Sequence, residues 1–293
     1  MTEPVSAVTA PGIYDLPASV YHADPCPEPS LSCSIAKRLC LASPAHVRQE
    51  HPRLNPDAEQ EECEAFDLGT AAHALFLEGK GGVAIIDAKD WRTTAAKEAR
   101  ETARRAGLTP ILTKQWDHVQ AMVAAIRQQL DQHDDGAAIF AGGGEPERTL
   151  IWQEPSGTWC RARLDWLRPH RSTWAIDDYK TTGGSASPDV WIRSMFAAGT
   201  DIQAAWYLRG LYVLTGYVGQ FRFVVQELDP PYVLSVISLG PAALMLAEKK
   251  CLYALDHWER ARQTNDWIGY PRQTCYAELP AWHEAAWLEK ELR

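Results

Sequence analysis

The sequence lacks the features of membrane and secreted proteins. It has no apolar run of about 18 residues, which argues against a membrane-spanning helix. No apolar secretory segment opens the chain, and its seven cysteines are odd in number and contain no CxxC pair. We therefore expect a reduced, cytoplasmic compartment and no closely paired zinc ligands.

The sequence also has no excess of positive charge. It carries 29 Lys and Arg against 38 Asp and Glu, a formal net charge of −9. Because phosphate binding needs positive charge, this balance argues against a protein that coats nucleic acid regardless of sequence. It does not exclude a metal-using enzyme, because carboxylates that hold cations add negative charge and a local basic strip can still contact phosphates.

The pattern of apolar residues predicts an α/β fold with a mixed sheet. At 46% hydrophobic content, the chain can form one large domain or two small ones. Helical and alternating periods succeed one another along the chain. We predict helices at 65–79, 114–132, 201–216 and 242–263, and either a charged helix or a mobile segment at 91–106. We predict strands at 149–153 and 158–167, a third strand ending in 176–182, and two more strands after 216.

The stretch IDDYKTT, residues 176–182, places three charged side chains at the end of a buried strand. In a strand, Asp178 and Lys180 point to one face, and Asp177 and Tyr179 to the other. If the preceding strand is a neighbour, Asp165 converges with Asp178, and two carboxylates suit a hard cation such as Mg²⁺. The backbone carbonyl of Tyr179 can add a ligand. Taken alone, Asp178 and Lys180 are more typical of an exposed ion pair at a strand end.

Further motifs surround this pair. Asp165, Asp178 and Lys180 form the pattern D-x12-D-x-K, which resembles the signature of the PD-(D/E)XK nucleases. Upstream, the segment GTAAH places His73 one helical turn after Gly69. A G-x-x-x-H helix before a D…D-x-K core resembles the RecB-like branch of that superfamily.

The remaining motifs resemble the same branch. The segment QAAWY places Gln203 and Tyr207 on one helix face, and Glu147 precedes the first strand in EPERTLIW. The segments YHADPCPEPSLSCSIAKRL and WCRARLDWL resemble the nuclease domain of phage-type RecE, exonuclease VIII. The resemblance covers roughly residues 12–240.

The resemblance implies the roles of the site residues. Asp165 and Asp178 are expected to be the main metal ligands, and Lys180 to position or activate the attacking water. His73 and Glu147 are expected to help bind a second metal or order its water.

Four more residues have supporting roles or DNA contacts in this interpretation. Gln203 and Tyr207 are expected to support the site or to touch the DNA backbone. Arg161 and Arg163 are expected either to guide the DNA backbone or to form surface ion pairs.

Two departures from the family pattern affect the choice of residues. Asp177 stands where such families usually carry an apolar residue, so the choice of Asp178 rests on its spacing to Lys180. Glu145 and Glu147 both lie near the first strand, and we favour Glu147 because it directly precedes the predicted strand.

The resemblance also implies a fold and a domain organisation. We expect a restriction-endonuclease-like core, with a mixed central β-sheet flanked by helices. We predict an N-terminal arm at 1–30 with a short ordered piece near GIYDLPASVYH, a nuclease core at 31–240 with a helical insertion at about 80–140, and a C-terminal helical extension of the same domain at 241–293.

The function implied is a Mg²⁺-dependent deoxyribonuclease, with Mn²⁺ also accepted, acting as an exonuclease on linear double-stranded DNA ends. The resemblance further implies phage or prophage recombination in a bacterial cytoplasm, a single-strand annealing partner and a homo-oligomeric ring. An iron–sulfur cluster is not expected, because only Cys251 and Cys275 follow the core. Two alternatives remain: a structure-specific endonuclease on the same fold, and a DNA-binding protein that has lost catalysis.

Overall fold

A central mixed sheet organises the chain. The computed structural model describes residues 8–55, 65–170 and 173–292. Its strands are β1 Gly12–Asp15, β2 Leu31–Ser32, β3 Val83–Ile86, β4 Thr109–Leu112, β5 Glu145–Gln153, β6 Trp159–His170, β7 Thr173–Thr182, β8 Gly219–Glu227 and β9 Leu234–Ile237. Its α-helices are α1 Ala18–His22, α2 Cys33–Leu41, α3 Pro44–Glu50, α4 Ala65–His73, α5 Thr94–Arg105, α6 Thr113–Gln132, α7 Pro188–Ala197, α8 Asp201–Thr215, α9 Pro241–Thr264 and α10 Ala281–Glu291.

The main sheet has the order β1-β5-β6-β7-β8-β9, and β2 adds a short parallel pair to β6. Strands β5, β6 and β7 form antiparallel pairs, whereas β7 and β8 are parallel over their length. A parallel connection requires a crossover, which α7 and α8 supply. The predicted α/β fold with a mixed sheet is confirmed, although α7 was not predicted.

Helices cover the two faces of the sheet. One core joins α2, α8 and α9 to the sheet and includes the fully buried Trp206 and Trp258. The other core joins α4 and α6 to the opposite face and includes Met122 and Val224. Burying one such large side chain stabilises the fold by about 1.5–3 kcal/mol. The two cores hold α4 and α8 on opposite faces of one sheet, so side chains from both helices can reach the same sheet opening.

The structure corrects two expectations about the domain organisation, one for the N-terminal region and one for the insertion. The region 1–30 is not a separate arm throughout, because Gly12–Asp15 pairs antiparallel with β5 and extends the main sheet. The insertion at about 80–140 is not helical throughout, because β3 and β4 form a two-stranded parallel sheet between its helices. Both strands have only four residues, too few to show a clear period in the sequence.

The described helices include none with the length and apolar character needed to cross a bilayer.

Candidate active site

Strands β6 and β7 separate where the acidic residues meet. Their pairing ends at Trp166 opposite Asp177, and β2 occupies the same edge of β6 farther along. Between these two partners the edge of β6 opens at Asp165. The Tyr179 backbone N–H donates to Asp165 Oδ2 at 2.8 Å, so a side chain takes the place of a ladder bond. This gap between the strands leaves room for charged side chains while the hydrophobic core of the sheet stays intact.

Side chains alternate along β7, so its two aspartates lie on opposite faces of the sheet. Lys180 Nζ lies 2.5 Å from Asp178 Oδ2, so both side chains share one face, as the sequence predicts. Asp177 lies on the other face, where Arg222 Nε is 2.6 Å from Oδ1 and the Phe140 N–H donates to Oδ2 at 2.8 Å. The geometry supports Asp178 over Asp177 as the carboxylate of the site.

Helix α8 fixes the second oxygen of Asp178. The Gln203 side-chain amide donates to Asp178 Oδ1 at 2.6 Å and to the Tyr207 hydroxyl at 3.1 Å. Gln203 and Tyr207 lie at positions i and i+4, so they occupy the same helix face. Both are buried. This contact favours the supporting role that the sequence left open for them.

Helix α4 brings His73 to the opening from the other face. His73 Nε2 lies 3.1 Å from Asp165 Oδ2, and Nδ1 lies 3.4 Å from Glu147 Oε1. A Cβ added to Gly69 would lie 2.5 Å from Thr181 Oγ1 on β7. Glycine therefore allows α4 to cross the sheet closely enough for the histidine, one turn later, to reach the carboxylates. This contact gives the G-x-x-x-H spacing a physical reason.

Strand β5 supplies Glu147, which lies between the register pairs Pro146–Trp166 and Arg148–Leu164, as Asp165 does on β6. Glu147 has φ +56°, a left-handed conformation that is uncommon for a non-glycine residue. Its Oε2 lies 2.5 Å from Arg163 Nε. Glu145, the alternative acid, is exposed and pairs with Arg148 instead. The geometry supports the choice of Glu147.

Neighbouring charges shift the pKa values of His73 and its partners. Burial lowers the pKa of His73, but the Asp165 and Glu147 carboxylates raise it more strongly, to about 9. Burial raises the pKa of Asp165, but His73, Lys180 and the Tyr179 N–H lower it further, so the net shift is downward. Burial and repulsion by Asp165 raise the pKa of Glu147, although His73 opposes them. A protonated His73 therefore balances the negative charge of Asp165 and Glu147.

The pKa values of Asp178 and Lys180 are both raised. Burial, followed by repulsion from Asp165, raises the pKa of Asp178 to about 7, although Lys180 opposes the shift. Burial lowers the pKa of Lys180, but Asp178 and Asp165 outweigh it and raise the net value. Lys180 and His73 offset the repulsion between the Asp165 and Asp178 carboxylates.

The site lies on a cleft of about 1040 Å³. Part of the lining comes from α1 and α2, including Lys37, and part from the insertion, including Thr109. Lys180, Asp165 and Arg163 also line it. The volume is at the upper end of ordinary small-molecule sites and suits a larger, extended substrate.

The two arginines of β6 differ in position. Arg161 is buried, pairs with Asp24 at 3.0 Å, and donates from Nη1 to the Ser30 carbonyl at 3.0 Å. Its guanidinium is enclosed by the protein, so the expectation that it guides DNA or forms a surface ion pair is wrong. Arg163 lines the cleft but is also paired, with Glu147, and donates to the Leu16 carbonyl.

Sequence reasoning missed Glu78. Ligand atoms of His73, Glu78 and Glu147 all lie within 4.8 Å of one another, and this is the one such group of three among the described residues. A regular α-helix would place residue i+5 about 140° away from His73. The segment Ala74–Glu78 is instead a π-helical turn, which returns position i+5 to the face of His73. The sequence carries no clear signal of that turn.

The donor set fits a divalent cation. Asp165, Asp178 and Glu147 offer carboxylate oxygens, and His73 offers a ring nitrogen. Hard cations such as Mg²⁺ and Mn²⁺ prefer oxygen-rich sites of this kind. The Tyr179 N–H points to Asp165, and in an extended strand the carbonyl of the same residue faces the same edge. The expected backbone ligand is thus directed toward the opening.

Comparison with known families matches residues 32–278 to the PDDEXK-like domain of unknown function DUF3799. The chain belongs to this family. The match includes every expected site residue and most of the described fold. The chain therefore has the fold of the PD-(D/E)XK nucleases, as the sequence motifs predict.

A solved structure shares this fold. A Eubacterium rectale protein that carries the provisional name exonuclease is 13% identical, with a TM-score of 0.52 over 84% of this chain and 91% of that chain. The protein SSO0001 is 13% identical, with a TM-score of 0.25 over 66% of this chain and 86% of that one. Vibrio cholerae VC1899 is 14% identical, with a TM-score of 0.23 over 79% and 54%. The first shows a common fold, and the other two are too distant to support an argument. No curated protein sequence matches the chain.

Proposed function

We propose that this PDDEXK-like chain is a metal-dependent deoxyribonuclease that acts as an exonuclease on linear double-stranded DNA. The observation that carries the proposal is the meeting of three charged residues at the opening of the sheet: Asp165 and Lys180 line a cleft, and Asp178 is buried beside Lys180. Each carboxylate is held by its own donor, so the set is already oriented before any ligand binds.

Asp165, Asp178 and the Tyr179 carbonyl would hold the cation, Mg²⁺ or Mn²⁺, with His73 and Glu147 beside them. When bound, the cation supplies an activated water and neutralises charge on the phosphate. His73 must lose its proton to act as a ligand, which links metal binding to pH.

The residues of the chain have separable roles in hydrolysis. Lys180, beside Asp178, positions the attacking water and stabilises charge that develops on the phosphate. Gln203 keeps Asp178 in one orientation, and the Tyr179 N–H does the same for Asp165. Such positioning matters because a small misplacement of a reacting group costs a large factor in rate.

Substrate end-dependence and biological context are finer parts of the same proposal. The RecE-like motifs support duplex DNA ends as the substrate and phage or prophage recombination as the context. They also support a single-strand annealing partner and a ring assembly in a bacterial cytoplasm. We further propose that residues 31–240 form the nuclease core and that residues 241–293 extend the same domain.

The test is digestion of linear and covalently closed circular duplex DNA with Mg²⁺ or Mn²⁺. The wild type is compared with Lys180→Ala and with a matched control, Lys250→Ala. Lys250 pairs with buried Asp201 at 2.6 Å, much as Lys180 pairs with buried Asp178, but it lies outside the cleft. We expect loss of the linear substrate alone, abolished by Lys180→Ala and retained in the control.

Other outcomes separate the alternatives. Cutting of closed circles would identify an endonuclease on the same fold. No cleavage of either substrate with either metal, by a folded wild-type protein, would overturn the enzyme proposal and favour a DNA-binding protein without catalysis.

A further inference from the structure

The Tyr179 side chain is anchored by a buried amide on the face of the sheet opposite Asp178 and Lys180. Tyr179 belongs to the core that joins α4 and α6 to the sheet, and it is 4% exposed. Its hydroxyl donates to Gln226 Oε1 at 2.5 Å. Gln226 lies on β8 and is fully buried. A polar contact therefore lies inside this core, directly behind the site.

The other contacts of Gln226 fix the orientation of its amide. Gln226 Nε2 donates to the Met122 carbonyl of α6 at 2.9 Å and, less closely, to the Tyr232 carbonyl at 3.3 Å. A carboxamide nitrogen can only donate, so these two carbonyls turn the nitrogen away from Tyr179 and the oxygen toward it. The Tyr179 hydroxyl therefore meets an acceptor whose direction is set by the backbone of α6.

The backbone of Tyr179 faces the gap between β6 and β7. Its N–H donates to Asp165, and its carbonyl is directed to the same edge. The register of β6 and β7 ends at Trp166 and Asp177, so beyond it the described residues of β6 give Tyr179 no partner strand. Pairing of β7 with β8 continues through Thr182 but occupies the other edge of β7. The side-chain anchor adds a restraint that the missing ladder does not supply.

The ring of Tyr179 also lies against α4. The rings of His73 and Tyr179 are nearly parallel, at 16°, with their centroids 6.3 Å apart. The ring of Phe76 lies 5.5 Å from that of Tyr179. Tyr179 therefore meets the site twice, through its backbone beside Asp165 and through its ring beside His73.

A polar pair is not the most stable way to fill this position. Each buried polar group loses its hydration, so replacing both partners by apolar groups of similar shape is often close to neutral for stability. A hydrogen bond differs from apolar packing in its directionality, because it weakens steeply when the donor and acceptor are misaligned. The pair is therefore better suited to fix the position of the ring than to stabilise the fold.

We propose that Gln226 is a positioning residue for the metal site and acts by fixing Tyr179. The hydrogen bond holds the ring, and the ring holds the Cα. The Cα in turn sets the direction of the N–H that holds Asp165 and of the carbonyl that would bind the cation. The inference rests on the proposed function, because it needs a cation at this site. It adds a residue that contacts neither the cation nor DNA.

The test is calorimetric binding of Mg²⁺ and Ca²⁺ to the metal-free protein, with thermal unfolding measured beside it. We expect Tyr179→Phe and Gln226→Leu each to lower Mg²⁺ affinity by roughly 10–100-fold, as is usual when a group that orients a metal ligand is removed. The loss should be smaller for Ca²⁺, which accepts more varied geometry than Mg²⁺. Each variant should also melt at a lower temperature, because it leaves one buried polar group without its partner.

The double variant Tyr179→Phe/Gln226→Leu separates positioning from stability. Neither member of the pair is then left with an unmatched polar group, so the melting temperature should recover while the Mg²⁺ affinity stays low. The Met122 carbonyl lies within α6, and the Tyr232 carbonyl also accepts from Gln129, so neither depends on Gln226 alone. An affinity that recovers together with the melting temperature would overturn the proposal and leave the pair a purely structural role.

The matched control is Gln129→Leu. Gln129 is a glutamine of α6 whose amide bonds to the Tyr232 carbonyl and to the Leu234 N–H. Its loss should lower the melting temperature and leave the Mg²⁺ affinity unchanged, and an equal loss of affinity in this control would contradict the proposal.

The same experiment separates this inference from the proposed function. Wild-type affinity for Mg²⁺ in Tyr179→Phe would overturn the role of Gln226 and leave the nuclease proposal intact. A wild-type protein that binds neither cation would overturn both.

Discussion

Gly69 and Thr181 stand in contact where α4 crosses β7. A Cβ on Gly69 would lie 2.5 Å from Thr181 Oγ1, closer than real Cβ contacts allow. Moving that oxygen requires rotation of a stiff, β-branched side chain. The contact sets the distance between α4 and the sheet, and so the position of His73.

We expect Gly69→Ala to lower both stability and nuclease activity. The clash costs about 1–3 kcal/mol, which exceeds the roughly 1 kcal/mol that alanine gains from its higher helix propensity. The displaced α4 carries His73 away from Asp165 and Glu147. Thermal unfolding and DNA digestion measure the two effects. Adding Thr181→Ala should restore both, and a double variant as impaired as the single one would contradict the packing argument.

The two adjacent aspartates should have opposite phenotypes. Asp178→Asn removes a site carboxylate, and we expect a loss of activity on the order of 10²–10³-fold or more, with a limited change in melting temperature. Asp177→Asn leaves Arg222 without its carboxylate, and we expect a loss of about 3 kcal/mol in unfolding free energy. Activity per folded molecule should remain in the second variant. An inactive but stable Asp177→Asn protein would show that the two roles are reversed.

Metal binding should weaken as the pH falls. A cation requires Asp178 ionised and His73 neutral, whereas their pKa values in the metal-free site are about 7 and about 9. Binding must therefore release protons at neutral pH, and affinity should fall roughly tenfold per pH unit for each proton released. Calorimetry in two buffers of different ionisation enthalpy measures this release. His73→Gln should release fewer protons, and an unchanged number would exclude His73 from the metal site.

Glu78 is expected to contribute to the same site. Removing its charge by Glu78→Gln should weaken Mn²⁺ binding and raise the metal concentration needed for half-maximal cleavage by several-fold. The matched control is Glu145→Gln, an exposed acid that also lies near Glu147 but pairs with Arg148. Equal effects in the two variants would show a general change of surface charge rather than a ligand.

Local patterns in the sequence were sufficient to predict which charged side chains share a face of a strand. Asp165, Asp178 and Lys180 lie in strands, where side-chain direction follows a two-residue period whatever the partner strand is. The helix that carries Gln203 and Tyr207 was predictable for the same reason, since i and i+4 share a face. These relationships depend on the backbone of one element.

Other features depended on how separate elements pack, and no local pattern could give them. Arg161 and Arg163 lie two residues apart on one strand face, yet Arg161 is buried against Asp24 and Ser30 whereas Arg163 lines the cleft. Glu78 reaches His73 because a π-helical turn changes the helical period. For Arg161 the deciding contacts come from another part of the chain. For Glu78 the deciding feature is a departure from regular helical geometry.

The sequence by itself determined the type of fold and the strand face that Asp178 and Lys180 share, because strand and helix periods are properties of neighbouring residues. Only the tertiary structure decided where β6 and β7 separate and how closely α4 approaches β7 at Gly69. These depend on distances between elements far apart in the chain. Such distances are set by packing and burial, which act across the whole molecule rather than along its sequence.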